Sequence, residues 1–495
     1  MSASWRRRAN QHGGLPIKLG PCSNGEFAAP PASPVVRETI RRTLMAADAH
    51  AARLGISRRR FLTSSCGSAL TLLTLAACSS EASQATQGTE PGGTFSLPPT
   101  STTEPEVASS VLADDTQFVM DVQGHLLDYA FTPDEEWDGG PFTGQAFPQA
   151  NCGESDPRVC FSIESFLDLF FLQSDTSIVV LSAIPAFENP NPLSPEVMAQ
   201  TRTIVSALCD HERVLAHGMA VPNAGDVDVA LAAMAQLRED FDITAWKMYP
   251  HIPASAPFRF DDADPSLAQV GRRFLDQVRQ VGPPIVCVHK GISSIGGGYP
   301  ADPVDIGPAA VENPDISFVV YHSGFELDVP EGAYDPARPN GGVDRLIASV
   351  EGAGVGPGAN VYAELGSTWR AVMSDPDQAA HTLGKLLNAF GEDRVVWGTD
   401  SIWYGSPQDQ IEAFRAFEIS EQYQEQYGYP ALTPEVKDKI LGLNAATLYE
   451  IDPTHVECEF SREDLRTIRQ EAGVEPVTLG PVDQAEHQAL LAGQT

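Results

Sequence analysis

The segment Ser177-Ile-Val-Val-Leu-Ser-Ala-Ile184 is a nearly unbroken apolar run, rich in β-branched residues. Such a run is typical of a strand that is buried on both faces, as the strands of parallel sheets are. A polar turn follows it, and then a stretch with helical spacing, Pro195–Cys209. Because a parallel return needs a crossover connection, the order strand, turn and helix predicts a βαβ unit.

The same unit repeats along residues 116–450. The predicted strands are Phe118–His125, Ser177–Ile184, Val214–Val221, Ile243–Pro250, Pro284–His289, Ile316–His322, Asn360–Leu365 and Val395–Asp400. Eight units in one segment of this length predict an α/β fold of the (β/α)₈ TIM-barrel type. An open doubly wound sheet is the competing architecture, but the Gly-rich phosphate fingerprint of its nucleotide-binding versions is absent after the first strand.

Composition narrows the classes of partner. The chain has 495 residues, of which 42% are hydrophobic, and a formal net charge of −34. An acidic surface repels phosphate backbones and anionic headgroups, so we expect a small-molecule substrate and no nucleic acid. The polar segment 451–495 is interpreted as a C-terminal extension that docks on the barrel or supplies a contact in a homo-oligomer.

The N-terminal region, residues 1–77, has the anatomy of an export signal. Ser57-Arg-Arg-Arg-Phe-Leu62 runs into the weakly apolar stretch Thr63–Ala77, which resembles a twin-arginine signal. Leu75-Ala-Ala-Cys78 resembles a lipobox, so Cys78 is the predicted lipidation site and the only expected membrane attachment. A buried helix or a transmembrane anchor is the alternative. Residues 78–115, rich in Ser, Thr, Glu, Gly and Pro, are predicted to be a disordered tether.

Two cysteines lie in the long segment after the first strand. Cys152 and Cys160 are close in sequence and form a candidate disulfide for an oxidising compartment. The sequence contains no Cys-x-x-Cys pair, so a thiolate zinc site is not predicted.

Polar side chains end several of the predicted strands. They are Gln123, His125, Lys247, His251, His289, His322 and Asp400, with Trp403 and Tyr404 just beyond. Because the carboxyl ends of barrel strands meet at one mouth, we expect these groups to converge there. Three imidazoles and a carboxylate can bind a divalent cation and leave a position open for water. Each one alone is also compatible with a hydrogen-bonded structural role.

This ordered set, over about residues 118–450, resembles the amidohydrolase-related family, which includes hydrolases and non-oxidative decarboxylases on a metal-bearing barrel. Lys439-Ile-Leu-Gly-Leu-Asn-Ala-Ala446 is similar to its closing helix. The resemblance implies that His125, His289 and Asp400 bind the metal, and that His322 acts beside it as acid, base or electrophile. The implied cofactor is one divalent cation per chain, zinc first and manganese second.

The sequence departs from the family pattern at Gln123. Family members usually have His-x-His at the end of the first strand, or Glu-x-His in some decarboxylases. An amide oxygen is a neutral and weaker donor. Gln123 is therefore a weak ligand at best, or the site has lost its metal. Lys247, a position that is carbamylated in related two-metal enzymes, is interpreted here as a charge partner for an anionic substrate, together with His251, Trp403 and Tyr404 around it.

The leading functional hypothesis is metal-assisted hydrolysis of a carbonyl group in an ester, lactone or amide. Asp400 is expected to accept the proton of water, and His322 to steady the oxyanion or to position the substrate. The alternatives are a metal-dependent decarboxylase at the same site, a metal-free lactonase-like enzyme, and a lipid-anchored binding protein without activity. Location in the cell envelope, by twin-arginine export, is expected for all four.

Overall fold

The computed structural model describes residues 15–20, 22–24, 26–27, 30–114, 116–127, 160–185, 191–209, 211–293, 301–337 and 341–454. The strands are β1 Gly93–Phe95, β2 Met120–Gly124, β3 Ile178–Leu181, β4 Val214–Met219, β5 Ala245–Met248, β6 Ile285–His289, β7 Ser317–Tyr321, β8 Val361–Glu364, β9 Val395–Val396 and β10 Phe417–Ile419. Strands β2 to β9 form one parallel sheet in chain order. All eight predicted barrel strands are thereby confirmed, with ends trimmed by a few residues.

Contacts between the first and last of these strands close the sheet. The Val122 amide donates to the Trp397 carbonyl at 3.0 Å, and the His125 amide donates to the Ser401 carbonyl at 2.7 Å. Gly124 and Ser401 form a parallel bridge. The predicted TIM barrel is confirmed, and the competing open sheet is excluded.

The α-helices follow the strands as the βαβ pattern predicts. They are α1 Pro34–Arg53, α2 Arg58–Phe61, α3 Ser65–Gln87, α4 Pro105–Leu112, α5 Ile163–Leu167, α6 Pro195–Cys209, α7 Val227–Phe241, α8 Gly271–Val281, α9 Ile306–Glu312, α10 Val343–Gly352, α11 Thr368–Val372, α12 Pro376–Phe390, α13 Gln408–Ala416, α14 Glu421–Tyr427, α15 Pro434–Asp438 and α16 Asn444–Tyr449. Short 3₁₀ turns and two π-helical turns, Asp168–Leu172 and Lys439–Leu443, complete them.

Side chains alternate between two apolar layers. In β6, Ile285 and Cys287 belong to the cluster that fills the barrel interior, whereas Val286 and Val288 belong to the cluster between sheet and helices. This alternation is the period of two that a pleated strand imposes. Each strand therefore buries both faces, and a polar side chain at its end is held on a rigid frame.

The structure corrects the prediction of a disordered tether over 78–115. Helix α3 continues through Cys78 to Gln87, where Gly88 ends it in the left-handed conformation. Strand β1 then pairs antiparallel with β10, and α4 packs against α3. The segment has few large apolar groups, but Phe95 and Leu112 are buried. The prediction from composition was wrong because these few apolar side chains are buried against other parts of the folded chain.

Residues 34–87 include most of the predicted signal, and their buried apolar side chains belong to the same core cluster as those of the barrel. The first half of helix α3 is apolar and mostly buried, from Cys66 to Cys78, whereas its last residues are polar and exposed. The helix packs against α1. Cys78 lies within it and is 4% exposed. The described residues contain no helix with the length and apolarity that a membrane crossing needs. Export and lipidation remain predictions.

Candidate functional site

The predicted site residues come together at the carboxyl ends of the barrel strands. Gln123 and His125 end β2, Lys247 lies in β5, His289 ends β6, and His322 and Asp400 directly follow the ends of β7 and β9. All of them are at most 2% exposed, and His251 is 1% exposed. The centroid of the His289 ring lies 4.6 Å from that of the His322 ring and 4.7 Å from that of the His251 ring.

Three site positions have a backbone conformation that is unusual for residues other than glycine. His322, Ser367 and Asp400 have φ angles of 64°, 56° and 56°. Such left-handed conformations cost free energy and persist where the surrounding structure holds them, often at functional sites. Here the sharp turn after each strand directs the side chain across the mouth of the barrel.

Three histidines share one hydrogen-bonding arrangement. His125 Nδ1 lies 2.7 Å from the Ser182 carbonyl, His289 Nε2 lies 3.0 Å from that of Gly291, and His322 Nδ1 lies 2.7 Å from that of Gly366. Because a carbonyl oxygen only accepts, each of these ring nitrogens carries the proton. The second nitrogen of each ring is therefore the one that can meet a ligand or another partner.

The second ring nitrogens have close polar neighbours within the site. His289 Nδ1 lies 3.2 Å from His322 Nε2, and His125 Nε2 lies 3.1 Å from Asp400 Oδ1, within hydrogen-bond distance of the carboxylate. The lone pairs of His289 and His322 repel each other at such a distance unless a proton or a cation lies between the two rings. Burial lowers the pKa of His322 to about 4 and lowers that of His289 well below its ordinary value, which disfavours the extra proton.

The Asp400 carboxylate accepts hydrogen bonds on both oxygens. Gln123 Nε2 donates to Oδ1 at 2.9 Å, and Ser367 Oγ donates to Oδ2 at 2.5 Å. Asn24 Nδ2 also donates to Oδ2, at 2.7 Å. Burial acts to raise the pKa of Asp400, but the hydrogen bond with His125 and the neighbouring charges lower it. The group is therefore ionised at neutral pH.

Asn24 and Glu26 come from the N-terminal segment and were missed by the sequence analysis. Among the described residues, Glu26, His289 and His322 are the one set of His, Cys, Asp or Glu donors whose ligand atoms lie within 4.8 Å of one another. Burial, and next the charge of Asp400, raise the pKa of Glu26. The sequence signal was the polar run Ser23-Asn-Gly-Glu26, but it lay in a region interpreted as an export signal.

Glu364 is a second carboxylate that the sequence analysis missed, although it ends the seventh barrel strand. It is fully buried and accepts from the His322 amide at 2.9 Å and from the Gly366 amide at 2.6 Å. A Cβ atom at Gly398 would overlap its side chain. Glu364 thus fixes the turn that carries His322, and Gly398 gives it room.

Several polar atoms at the mouth have no hydrogen-bond partner within the described part of the chain. They are Lys247 Nζ, both ring nitrogens of His251, and Gln123 Oε1. Buried polar groups in proteins are nearly always paired, so these atoms are candidates for contact with a polar ligand. Lys247 Nζ lies 3.5 Å from the ring centroid of Tyr321 and 4.9 Å from that of Tyr249. Burial lowers its pKa to about 8, which leaves it largely charged at neutral pH.

The two predicted aromatic residues are buried and have different surroundings. The Trp403 ring stacks on His125 with centroids 5.4 Å apart, so it adjoins the site. The hydroxyls of Tyr404 and Ser367 lie 2.6 Å apart, which places Tyr404 behind Asp400. Cys160 is disulfide-bonded, as is Cys209, but Cys152 lies outside the described residues.

The donor set fits a divalent cation. Imidazole nitrogens and carboxylate oxygens are the ligands that zinc and manganese prefer, and the second nitrogen of each histidine is fixed by a carbonyl, as is usual for metal-ligating histidines.

Solved structures similar to this chain are barrels of low sequence identity. An uncharacterised TIM-barrel protein from Bordetella bronchiseptica is 16% identical, with a TM-score of 0.42 over 67% of this chain and 99% of its own. A 5-carboxyvanillate decarboxylase from Novosphingobium aromaticivorans, with bound manganese, is 12% identical, with a TM-score of 0.40 over 68% and 98%. A 4-oxalomesaconate hydratase from Rhodopseudomonas palustris is 12% identical, with a TM-score of 0.38 over 72% and 100%.

No curated protein matches the sequence. The family model described as amidohydrolase matches residues 170–451, which is more than half of the chain. This span contains the segments that carry Lys247, His289, His322 and Asp400. The chain belongs to the amidohydrolase family.

Proposed function

We propose that the protein is a metal-dependent hydrolase that attacks a carbonyl group of a small anionic substrate. The observation that carries this proposal is the pair of contacts at the mouth, His289 Nδ1 to His322 Nε2 at 3.2 Å and His125 Nε2 to Asp400 Oδ1 at 3.1 Å, with the other nitrogen of each ring held by a carbonyl. His125, His289, His322 and Asp400 would hold the cation. When bound, a divalent cation polarises a carbonyl and acidifies water.

Asp400 is the proton acceptor of the proposed reaction. Its low pKa keeps it ionised, and its hydrogen bonds from Gln123 and Ser367 fix the plane of the carboxylate. It takes the proton of the attacking water and returns it to the leaving group. His322 contributes a lone pair rather than an N–H to the centre, so its role is that of a donor to the cation. We therefore propose this role for His322 in place of the one expected from the sequence, which was to steady the oxyanion or to position the substrate.

The substrate anion is held by Lys247. Its ammonium group is buried without a hydrogen-bond partner among the described residues and is in contact with two aromatic rings. A carboxylate is the ligand that best satisfies a buried ammonium. The unpaired ring nitrogens of His251, whose ring centroid lies 4.7 Å from that of His289, add polar contacts on the same side.

Decarboxylation at the same site is the second candidate, and Lys247 favours it. An ammonium next to the metal centre would position a substrate carboxylate for loss of carbon dioxide. The two reactions differ in their products, because hydrolysis consumes water and releases no carbon dioxide.

The first experiment compares Asp400→Asn with the wild-type protein on a panel of small esters, lactones, amides and aromatic carboxylic acids. We expect turnover to fall by a factor of about 10³ or more, because the proton acceptor is lost, while the far-ultraviolet circular dichroism spectrum stays unchanged. Asp240→Asn, on the exposed face of α7, is the matched control. An Asp400→Asn variant with near-normal turnover contradicts the assignment, and carbon dioxide among the products selects the second candidate.

We also propose that the protein acts outside the cytoplasm after twin-arginine export. Arg58 and Arg60 are exposed, and a folded chain is the cargo of this route. The disulfide-bonded Cys160 and Cys209 support an oxidising compartment. Lipidation of Cys78 is not part of this proposal, because it requires cleavage before that residue, and such cleavage would remove Asn24 and Glu26 from the site.

A further inference from the structure

The described residues of the N-terminal segment, 15–20, 22–24 and 26–27, lie against the mouth of the barrel, outside the residues that the family model matches. Two of its side chains enter the site. Asn24 donates to Asp400 at 2.7 Å, and Glu26 Oε1 lies 3.7 Å from His289 Nδ1. The side chain of Glu26 is only 13% exposed.

We propose that Glu26 is a carboxylate ligand of the metal centre and replaces the ligand that the family carries at the position of Gln123. This inference rests on the metal centre of the proposed function. It adds a residue that lies far from the barrel in sequence and belongs to a segment interpreted as an export signal.

The geometry of Gln123 leaves a ligand position to be filled. Its Nε2 donates to Asp400, which fixes the orientation of the amide. The remaining Oε1 is neutral and therefore a weaker donor than a carboxylate. Glu26 offers the missing carboxylate ligand, because its carboxyl oxygens belong to the compact set with the ligand nitrogens of His289 and His322.

Asn24 holds Glu26 in place. Its Nδ2 donates to Glu26 Oε2 at 2.8 Å, and its Oδ1 accepts from the Glu26 amide at 3.0 Å. The same Nδ2 group donates to Asp400, so one amide orients both carboxylates. Ligating carboxylates in metal sites are commonly held by such hydrogen bonds.

The segment is anchored firmly enough to present a ligand. Lys18 Nζ donates to the carbonyls of Tyr404 and Ser406 at 2.8 and 2.7 Å and pairs with Asp409 at 3.0 Å. Arg370 donates to the Lys18 carbonyl. Leu15, Ile17 and Leu19 are buried in the main core cluster.

The test measures metal binding to the full chain without reference to activity. The protein is stripped with a chelator, and Mn²⁺ and Zn²⁺ binding is measured by calorimetry and by metal content after desalting. We expect the Kd of Glu26→Gln for Mn²⁺ to be about 100-fold higher or more, because a direct ligand should matter more than the outer partners, whose loss costs ~10–100-fold. Glu106→Gln, an exposed position on α4, is the matched control.

A second variant guards against a folding defect. In Glu26→Gln combined with Gln123→Glu, the carboxylate moves to the family position, and we expect much of the affinity to return. Wild-type affinity in Glu26→Gln overturns this inference and leaves the proposed function standing. A wild-type chain that binds neither metal overturns the proposed function itself. If the wild-type chain binds metal, His289→Ala loses it and Glu26→Gln keeps it, the inference about Glu26 is wrong and the proposed metal centre stands.

Discussion

Lys247 is the residue whose surroundings say most about the substrate. It projects from β5 toward the site, is fully buried, and contacts the faces of Tyr321 and Tyr249. Desolvation of an ammonium without a counterion is costly, and burial lowers the pKa of Lys247 to about 8. Binding of an anionic substrate would offset this desolvation free energy, which explains why a lysine is placed here.

For Lys247→Gln we expect the KM of an anionic substrate to rise by about 10- to 100-fold, the equivalent of a lost charge-assisted hydrogen bond. In the wild-type enzyme, KM should also rise above pH 8, because the ammonium loses its proton there. Steady-state kinetics on an acid and on its neutral methyl ester check both points. Lys439→Gln on the surface serves as control. Equal KM changes for acid and ester contradict this role.

At the scale of secondary-structure elements, Arg370 of α11 connects the N-terminal segment to the barrel. Its guanidinium donates to the carbonyls of Lys18 and Gly20, and it is 4% exposed. Helix α13 contributes Asp409, which accepts from the Lys18 amide at 3.0 Å. Two helices of the barrel thus hold a segment that precedes the barrel by about a hundred residues.

For Arg370→Gln we expect faster hydrogen exchange in peptides that cover residues 15–27 and weaker metal binding, because the segment loses two of its backbone anchors. Exchange in strands β5 to β8 should stay as it is. Arg272→Gln, which breaks an exposed ion pair with Glu312, is the matched control. Unchanged exchange in residues 15–27 would show that other contacts hold the segment.

At the scale of the whole molecule, the barrel is joined to an N-terminal region whose sequence resembles a twin-arginine signal. Cleavage before Cys78 would remove α1, α2, half of α3 and the segment that carries Asn24 and Glu26. If Glu26 binds the metal, the active enzyme needs these residues. Twin-arginine export carries folded proteins, so it is compatible with a retained N-terminus.

We therefore expect metal-loaded enzyme isolated from the cell envelope to contain residues 15–27. Intact-mass spectrometry together with metal content checks this expectation. An acylated N-terminus at Cys78, in protein that has lost residues 15–27 and still carries one metal per chain, contradicts it and supports the lipobox interpretation. Heterologous protein of full length with the same metal content is the reference.

The barrel and most of its mouth could be predicted because the evidence is local in sequence. An apolar run such as Ile316–Tyr321 predicts a buried strand from its own residues, and a barrel brings the carboxyl ends of its strands together. His125, His289, His322 and Asp400 follow from this rule, and the structure places all four at the mouth. Glu364 follows from the same rule, and the sequence analysis overlooked it.

The sequence by itself therefore determined the barrel, the order of its strands, and which histidines and aspartate lie at its mouth. It could do so because periodicity and strand ends are local properties. Only the tertiary structure decided that residues 78–114 fold, that His322 presents a lone pair, and that Asn24 and Glu26 reach the site. These features depend on contacts between segments separated by hundreds of residues, such as Asn24 with Asp400. Neither local spacing nor composition encodes such a contact, because it arises only when the surfaces of the folded barrel and the N-terminal segment meet.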